Sequence, residues 1–233
     1  MTSIEALRKY VLEAFNEIAE SYARVRSRPW VDALKYLLLR PHRLVLDLGC
    51  GAGSNSIYLA KRGIEVVACD LALKMAYHVK KRSLKEGVYG LIDPLVSDAT
   101  HQPFRGGAFD AALMIASLHN IPFKRLRVKA LKCVARSLKR GGLLLLTVWA
   151  VHQYKITIHG FLRLSLLLLD PFSSLVPWKY RGKLVLRYYH FYRRSELKGD
   201  LRRAGLKVVG VFKWDYKWKV IPRNYLALAL KQP

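Results

Sequence analysis

The sequence predicts an α/β domain with a mostly parallel sheet and helices on both faces. Short apolar runs alternate with helical patterns from residue 43 to residue 150, as expected where helices cross between parallel strands. A glycine-rich turn follows the first run, at the position where such sheets bind ligands. The chain has 233 residues, 52% of them apolar, which is enough for one full core. We therefore expect a single domain that spans 1–233.

A helical cover is predicted for residues 1–40. Apolar side chains recur every three or four positions between Leu7 and Tyr22, which is the period of an amphipathic helix. Pro29 then stands where a first-turn proline would open a second helix, over residues 29–39. We expect this cover to lie on the side of the sheet where ligands bind.

Strands and helices alternate through the central part of the chain. Each strand is a short apolar run, and the first two helices end at Gly63 and Gly87. Strands are predicted over residues 43–48, 64–70, 91–97, 109–117 and 143–150. Helices are predicted over residues 54–62, 72–86 and 123–139.

The pattern loosens after residue 150. We expect 151–205 to form a basic insertion on the substrate side, without a clear period over residues 151–186 and with a helix over residues 195–204. Two apolar runs within 206–233 are separated by a turn-like stretch. They predict an antiparallel hairpin that closes the sheet.

The charge balance points to a polyanionic partner. Lys and Arg number 41 against 16 Asp and Glu, which gives a formal net charge of +25. A domain this basic is typical of proteins that bind nucleic acid. The positive charge is densest in residues 80–85, 123–140 and 179–203. A basic surface that serves solubility alone is the alternative.

The cysteines and the apolar runs bear on the cellular compartment. Cys50, Cys69 and Cys133 form no C-x-x-C pair, so no zinc site is predicted, and this sparse, odd set favours a reducing compartment. The longest apolar run, residues 164–172, is far too short to cross a bilayer. We therefore expect a cytoplasmic protein without a transmembrane segment.

The turn "VLDLGCGAGSN" is the strongest local signal. Gly49, Gly51 and Gly53 allow the backbone to turn sharply and to approach a ligand closely. Asp70 ends the next predicted strand, where a carboxylate can bind both ribose hydroxyls of an adenosine. The spacing predicts an adenosine cofactor and makes residues 43–150 the cofactor-binding half.

The residues around this turn narrow the choice of cofactor. A dinucleotide-binding turn would have glycine where Ser54 stands, and the G-K-[ST] triplet of a phosphate-binding loop is absent. Asp47 precedes the turn, and its carboxylate would repel a pyrophosphate but suits a ligand with a cationic amino group. S-adenosyl-L-methionine carries an ammonium, a sulfonium and no phosphate, so it fits these residues best.

Two groups of motifs resemble a known enzyme family. "LDLGCGAG" with "ACD" behind it, and "SDATHQPFRGGAFDAALMIAS" further on, are similar to the motifs of class I S-adenosylmethionine-dependent methyltransferases. The resemblance implies a Rossmann-like sheet of seven strands, with Asp98 and Ala99 flanking the adenine. A dehydrogenase or a degenerate glycine turn is the alternative.

Three further stretches are similar to one family of these enzymes, the wobble-uridine tRNA methyltransferases. They are "FNEIAESYARVRSRPW" (15–30), "IASLHNI" (115–121) with the segment "KALKCVARSLKRGGLLLLTVWAVHQ" after it, and "RYYHFYRRSEL" (187–197). The resemblance implies that the chain esterifies the carboxylate of 5-carboxymethyluridine at the anticodon of tRNA. The family usually has two adjacent histidines where this chain has His119 and Asn120, so only the first keeps an implied role.

Arginines are the residues expected to orient the acceptor. A carboxylate is already ionised at neutral pH, so methyl transfer to it needs alignment rather than a general base. Arg187 is expected to clamp the carboxylate, with Arg26 as a second clamp. His119 is expected beside the methyl group; a histidine that merely fills the strand end is the alternative. Contacts to a flipped-out base are expected from Trp30, Tyr188 and Tyr189.

The predicted strand 91–97 is a candidate docking edge. The family resemblance implies a small zinc-binding activator subunit beside the cofactor-binding half. Pro94 fits only an edge strand or a bulge, and the apolar side chains around it lack the lysines that normally protect a sheet edge. We favour a strand added by that subunit; cover by the N-terminal helices and dimerisation are the alternatives.

Two other functions are compatible with the sequence. A methyltransferase for a small lipid or quinone acid could use the apolar stretch 161–172 as a pocket wall or a membrane contact. A non-catalytic RNA-binding protein could have the same fold, although the intact glycine turn and Asp70 argue against it. Salt-sensitive affinity for tRNA would separate the leading function from the first of these, and cofactor binding would separate it from the second.

Overall fold

A computed structural model describes residues 3–153, 172–214 and 223–232. The α-helices in this part of the chain are α1 (Ser3–Val25), α2 (Val31–Leu37), α3 (Ser54–Ala60), α4 (Leu73–Lys85), α5 (Lys124–Ser137) and α6 (Arg194–Arg203). The first five strands are β1 (Leu44–Leu48), β2 (Glu65–Asp70), β3 (Ile92–Val96), β4 (Phe109–Ile115) and β5 (Leu138–Trp149). The later strands are β6 (Ser173–Tyr180), β7 (Lys183–His190), β8 (Leu206–Trp214) and β9 (Asn224–Lys231).

Seven of the described strands form one sheet, in the order β3-β2-β1-β4-β5-β9-β8. The strands from β3 to β5 are parallel, and β9 pairs antiparallel with both β5 and β8. The order reverses at the β1–β4 pair, and the crevice beyond the carboxyl ends of these two strands is where such sheets bind ligands. The prediction of a mostly parallel, Rossmann-like sheet closed by an antiparallel hairpin is confirmed.

Helices cover both faces of this sheet, as predicted. On one face, Leu34 of α2, Ile57 of α3 and Val79 of α4 join a common core. On the other face, Leu131 of α5 and Leu197 of α6 belong to a second core. Strands buried on both faces have continuous apolar runs rather than alternating ones, which explains the four consecutive leucines of β5.

Helix α1 and the hairpin β6–β7 lie over the carboxyl ends of the parallel strands. Ile18 of α1 packs in a cluster with Met75 near the start of α4. The hydroxyl of Tyr10 donates a hydrogen bond to the carbonyl oxygen of Leu186 in β7 (2.7 Å), which ties the helix to the hairpin. The N-terminal cover therefore lies on the ligand-binding side, as the sequence predicts.

The hairpin β6–β7 corrects the prediction that residues 151–186 have no regular period. Its strands pair antiparallel from Ser173 with His190 to Tyr180 with Lys183. Its buried residues include polar side chains, so a simple apolar alternation does not mark them. Residues 154–171, which hold most of the apolar stretch 161–172, lie outside the described residues.

Two boundaries also differ from the prediction. Helix α2 begins at Val31 with Trp30 at its N-cap, so Pro29 precedes the helix instead of opening it. Helix α5 ends at Ser137, and β5 begins at once with Leu138, so the glycines after it lie within a strand. A register shift between β4 and β5 accommodates them.

Strand β3 forms one edge of the sheet and β8 forms the other. The prediction that residues 91–97 form an edge is therefore confirmed. The exposed apolar part of this edge is narrower than expected, because Ile92 is buried in the core while Val96 is 46% exposed. No helix among the described residues combines the length and the apolar composition that a membrane crossing requires.

Candidate active site

Two adjoining cavities open at the carboxyl ends of the parallel strands. The first, of about 120 Å³, is called the acidic cavity because Asp70 and Asp98 line it. The second, of about 430 Å³, is called the arginine cavity, because it is lined by Arg26, Arg28, Arg187 and Arg223. The residues shared by both linings are Tyr22, Gly49 and Ala116.

The glycine turn between β1 and α3 contributes backbone without side chains to the boundary between the two cavities. Gly49 has a φ of +74°, and a Cβ there would lie 2.3 Å from the Cβ of Ser117. Gly51 has a φ of +55°, and a Cβ there would lie 3.1 Å from the ring of Tyr22. Because L side chains avoid positive φ and no room exists for a methyl group, glycine is required at Gly49.

Asp70, at the end of β2, holds the turn in place and lines the acidic cavity. Its Oδ2 accepts a hydrogen bond from the N–H of Gly51 (2.9 Å), and its Oδ1 accepts one from the N–H of Ala72 (2.9 Å). Burial raises the pKa of Asp70, and these backbone hydrogen bonds oppose that rise. Each carboxylate oxygen keeps further acceptor capacity for the hydroxyls of a ligand.

Asp98 and Ala99 line the same cavity beyond the end of β3. Asp98 Oδ1 accepts hydrogen bonds from the N–H (2.8 Å) and the hydroxyl (2.9 Å) of Thr100, and Arg8 of α1 pairs with Oδ2. Burial alone would raise the pKa of Asp98, but the hydrogen bonds from Thr100 and the charge of Arg8 lower it. This carboxylate is therefore ionised and can accept from an amino group.

These residues fit S-adenosyl-L-methionine. Arg8 is the one basic residue among the described residues that line the acidic cavity, and Asp98 pairs with it. Two carboxylates without an unpaired cation suit an adenosine that carries positive charge and no phosphate. Asp70 would hold the ribose hydroxyls, and Asp98 with Ala99 would flank the adenine.

Asp47 and Gly53 support the turn but line neither cavity. Asp47 is 1% exposed, and its Oδ2 accepts a hydrogen bond from the Oγ of Ser56 (2.6 Å). Burial raises the pKa of Asp47 to about 6. Gly53 is the N-cap of α3 with a φ of +76°, and a Cβ there would lie 3.0 Å from the side chain of Val79. Their predicted contacts with the cofactor therefore stay a prediction, and the structure shows them as supports of the glycine turn.

Arg187 of β7 is fixed in the wall of the arginine cavity. It is 5% exposed, and its Nη1 donates a hydrogen bond to the hydroxyl of Tyr189 (2.7 Å). Its guanidinium carbon lies 4.8 Å from the ring centroid of Trp178 and 5.0 Å from that of Tyr189. Its buried Nε has no hydrogen-bond partner among the described residues. Nη1 and Nη2 each carry two N–H groups, and one hydrogen bond from each is used, to Tyr189 and to the carbonyl of Pro177, so the pre-organised guanidinium keeps donors for an anion.

Aromatic rings and further arginines complete this cavity. Trp30, Trp149 and Tyr189 line it together with Arg26, which is exposed. None of the described residues that line it is an Asp or a Glu. The field inside the arginine cavity is therefore positive, whereas the adjoining acidic cavity holds two carboxylates. The predicted residues Arg26, Arg187, Trp30 and Tyr189 are brought together here.

Two predicted residues lie behind the arginine cavity instead of lining it. His119 is fully buried, and its Nδ1 accepts a hydrogen bond from the N–H of Trp149 (3.2 Å). Burial lowers the pKa of His119 to about 3, so its ring is neutral, and it lies 4.9 Å from the ring of Tyr189. Tyr188 is also fully buried, with its hydroxyl 2.7 Å from the Oγ of Ser173. The expected contacts of His119 with the methyl group and of Tyr188 with the base do not fit these positions.

Comparison with known proteins agrees with this geometry. Residues 46–146 match the family model described as a methyltransferase domain. A solved S-adenosylmethionine-dependent methyltransferase of Methanosarcina mazei has the same fold, with a TM-score of 0.73, 22% identity, and coverage of 85% of this chain and 97% of that chain. A tRNA (carboxymethyluridine(34)-5-O)-methyltransferase of Schizosaccharomyces pombe is 27% identical over 95% of this chain and 99% of its own length.

The chain is an S-adenosylmethionine-dependent methyltransferase with the class I fold. A second relative, the mouse tRNA (carboxymethyluridine(34)-5-O)-methyltransferase ALKBH8, is 32% identical over 69% of this chain. This methyltransferase spans 23% of the length of that relative. The same fold occurs in a methyltransferase solved in complex with a methyltransferase activator of Haloferax volcanii, with a TM-score of 0.66, 17% identity, and coverage of 94% and 98% of the two chains.

Several residues of the methyltransferase site were not predicted from the sequence. Ala116 lines both cavities with a φ of +52°, a strained backbone directly after β4. Trp149 ends β5, and Asn224 begins β9. Trp149 lies at the carboxyl end of β5, and Asn224 opens the strand that pairs antiparallel with β5. Both residues could have been predicted from these positions, since ligands bind at that end of the sheet.

We expect Asp70→Ala to weaken binding of S-adenosyl-L-methionine by about 1–3 kcal/mol, the usual loss of hydrogen bonds to a charged group. The substitution removes the acceptors for Gly51 and Ala72 as well as those for the ribose. Isothermal titration calorimetry measures the change, with Asp93→Ala on the exposed edge of β3 as the matched control. Wild-type affinity in Asp70→Ala would exclude Asp70 from the cofactor site.

Proposed function

We propose that this methyltransferase methylates the carboxylate of 5-carboxymethyluridine at the wobble position of tRNA. The observation that carries the proposal is the arginine cavity, which adjoins the acidic cavity and has no Asp or Glu among its described lining residues. A site for an anionic acceptor thus lies beside the site for a cationic methyl donor. The relatives of Schizosaccharomyces pombe and mouse, both named for this reaction, support the choice of acceptor.

The chain's residues would act by orientation. S-adenosyl-L-methionine supplies the methyl group, and the ionised carboxylate needs no base to accept it. Arg187 cannot swing away, because Tyr189 and Trp178 hold its guanidinium. Arg26, which is exposed and lines the same cavity directly after α1, would complete the clamp as a second donor. Alignment of one carboxylate oxygen with the donor would be the main catalytic contribution of these residues.

The flat walls of the arginine cavity suit a nucleobase. Trp30, Trp149 and Tyr189 offer ring surfaces, and the rings of the latter two lie 4.5 Å apart between centroids. A wobble base swung out of the anticodon loop could stack there. A buried aromatic wall beside arginines is the combination that single-stranded RNA recognition uses.

The remaining tRNA would contact basic helices outside the cavity. Helix α5 contains no acidic residue, and its exposed basic side chains are Lys124, Arg125, Lys129, Lys132 and Arg136. Contacts of this kind to phosphates make affinity fall steeply with salt. We place the reaction in the cytoplasm, where the free thiols of Cys50, Cys69 and Cys133 would stay reduced.

Incubation of tRNA with the protein and isotopically labelled S-adenosyl-L-methionine tests the proposal. The expected product in nucleoside mass spectrometry is the labelled methyl ester of 5-carboxymethyluridine. Small lipid or quinone acids serve as competing acceptors in parallel reactions. Label on those acids and none on tRNA would replace the tRNA assignment with a small-molecule one. Cofactor binding without label on any acceptor would favour a non-catalytic RNA-binding role.

We further propose that a small zinc-binding activator subunit adds a strand to the edge strand β3. The fold shared with the Haloferax volcanii methyltransferase, which was solved with an activator, supports such a partner. Exposed apolar side chains surround this edge: Leu73, Tyr77, Leu84, Tyr89 and Val96. Apolar surface of this kind next to unpaired strand backbone is a suitable docking surface.

Val96→Lys is expected to weaken binding of the activator by at least tenfold, because it places a charge in the apolar docking surface. Val96 is 46% exposed, so the folded chain tolerates the lysine. Val209→Lys is the matched control, because Val209 is 56% exposed on β8 at the opposite edge. Co-purification and titration calorimetry measure the effect. Equal affinities of the two variants, or full activity and solubility of the chain alone, would contradict docking at β3.

A further inference from the structure

Asn224, the first residue of β9, has a side chain without a hydrogen-bond partner in the described structure. Its Oδ1 is buried and unpaired, and the residue lines the arginine cavity. The other amides in this lining are engaged: Asn55 Oδ1 accepts from the N–H of Trp30 (2.9 Å), and Gln153 donates to the carbonyl of Arg223. A buried amide without partners is costly, which indicates a polar group on the ligand.

The strand register places this amide beside aromatic rings. Asn224 pairs with Trp149 of β5 on one side and with Trp214 of β8 on the other. Side chains at paired positions project from the same face of a sheet, so the amide lies between two indoles. Trp149 lines the arginine cavity, and the indole Nε1 of Trp214 is buried without a partner. A ring stacked on Trp149 would present an edge to Asn224.

We infer that Asn224 reads the N3–O4 edge of the uracil ring and makes the methyltransferase specific for uridine. The inference rests on the proposed function, because it assumes a base in the arginine cavity. The amide would donate from Nδ2 to O4 and accept at Oδ1 from the N3–H, the bidentate pattern that asparagine uses on nucleobases. Cytosine presents an amino group and an unprotonated N3 at these positions, so both contacts would be lost.

The indole N–H of Trp214, which has no partner among the described residues, is the group that would orient the amide when a base binds. Reversed, the amide would match cytosine, because its oxygen and nitrogen would exchange places. Reversal would also turn Nδ2 toward the indole N–H of Trp214, the residue that faces Asn224 across β8 and β9. The Nδ2 donor of Asn224 and the indole N–H donor of Trp214 would then face each other. In the uracil-reading orientation, Oδ1 can accept from both the N3–H of the base and the indole N–H, because it has two lone pairs. Trp214 therefore acts as a positioning residue.

The test compares two anticodon stem–loop RNAs that carry 5-carboxymethyluridine or 5-carboxymethylcytidine at the wobble position. The wild-type chain is expected to methylate the uridine RNA with a kcat/KM about 5- to 150-fold higher, the range of discrimination of one bidentate pair. Asn224→Ala should bring this ratio close to one by slowing the uridine RNA alone. Asn16→Ala is the matched control, since Asn16 lies on α1 and lines neither cavity.

The possible outcomes separate this inference from the proposed function. Equal rates of the wild type on both RNAs, or an equal slowing of both by Asn224→Ala, would overturn the reading role while leaving uridine methylation intact. Failure of the wild type on both RNAs, with cofactor bound, would overturn the proposed function and this inference with it. Trp214→Phe removes the indole N–H and keeps an aromatic ring at this position, and it should lower the ratio by accelerating the cytidine RNA.

Discussion

Arg187→Ala is expected to lower kcat/KM for the RNA acceptor by about 30-fold or more, while affinity for S-adenosyl-L-methionine stays at the wild-type value. Removing one partner of a buried charged pair typically costs 2–5 kcal/mol, and each 1.4 kcal/mol corresponds to about tenfold. Arg187 is 5% exposed and held by Tyr189 and Trp178, so no other side chain can take its place without rearrangement. Steady-state kinetics and cofactor calorimetry on the same preparation measure both quantities.

Two further variants make this test specific. Arg187→Lys keeps the charge but loses the planar fork, so it should recover little of the activity. Arg43→Ala removes an exposed arginine directly before β1, at the end of the parallel strands away from both cavities, and controls for the loss of one positive charge. Thermal unfolding of Arg187→Ala verifies that the hairpin β6–β7 still folds. Normal turnover by a folded Arg187→Ala protein would show that this guanidinium does not orient the acceptor.

The acidic cavity could be predicted from the sequence because its residues stand next to apolar runs that are recognisable as strands. Gly49, Gly51 and Asp70 follow directly after strands whose apolar runs are short and unambiguous. In a parallel sheet, the carboxyl ends of neighbouring strands meet at one edge, so sequence position alone brings these residues together. The same reasoning predicts Asp98 and Ala99 at this edge, one strand further along, and both line the acidic cavity.

The arginine cavity could be predicted only in part, because tertiary contacts assemble it. Its lining comes from the end of α1, the glycine turn, the end of β5, strand β7 and the start of β9. Within β7 the alternation of strand faces decides between neighbours: Arg187 and Tyr189 line the cavity, whereas Tyr188 is buried against Ser173. Both tyrosines are predicted from the sequence to contact the base, whereas only Tyr189 lines the cavity.

His119 illustrates a second limit of sequence reasoning. Its place after β4 put it near the predicted methyl-transfer point, yet the short helical turn Leu118–Asn120 buries it. The neighbouring Ser117 lines the acidic cavity instead. A shift of two positions in a loop exchanges a buried side chain for a lining one, and no periodic pattern marks such a choice.

A substitution at Gly49, where the glycine turn lies against Ser117, is expected to have the second large effect on this protein. Gly49→Ala is expected to lower affinity for S-adenosyl-L-methionine by more than tenfold and to lower the melting temperature. The new Cβ would lie 2.3 Å from the Cβ of Ser117, so the turn or the segment after β4 must move. Ser117 donates a hydrogen bond to the carbonyl of Leu48 (2.8 Å), and Ala116 beside it lines both cavities, so either movement disturbs the site.

Gly63→Ala is the matched control for this variant. Gly63 has a φ of +77°, close to the +74° of Gly49, but a Cβ there meets nothing within 4 Å. Gly63→Ala therefore carries only the cost of an L residue at positive φ, about 1–2 kcal/mol, and should leave cofactor affinity unchanged. The difference between the two variants isolates the steric contact with Ser117. Equal melting temperatures together with wild-type cofactor affinity in both would mean that a Cβ at position 49 does not clash with Ser117.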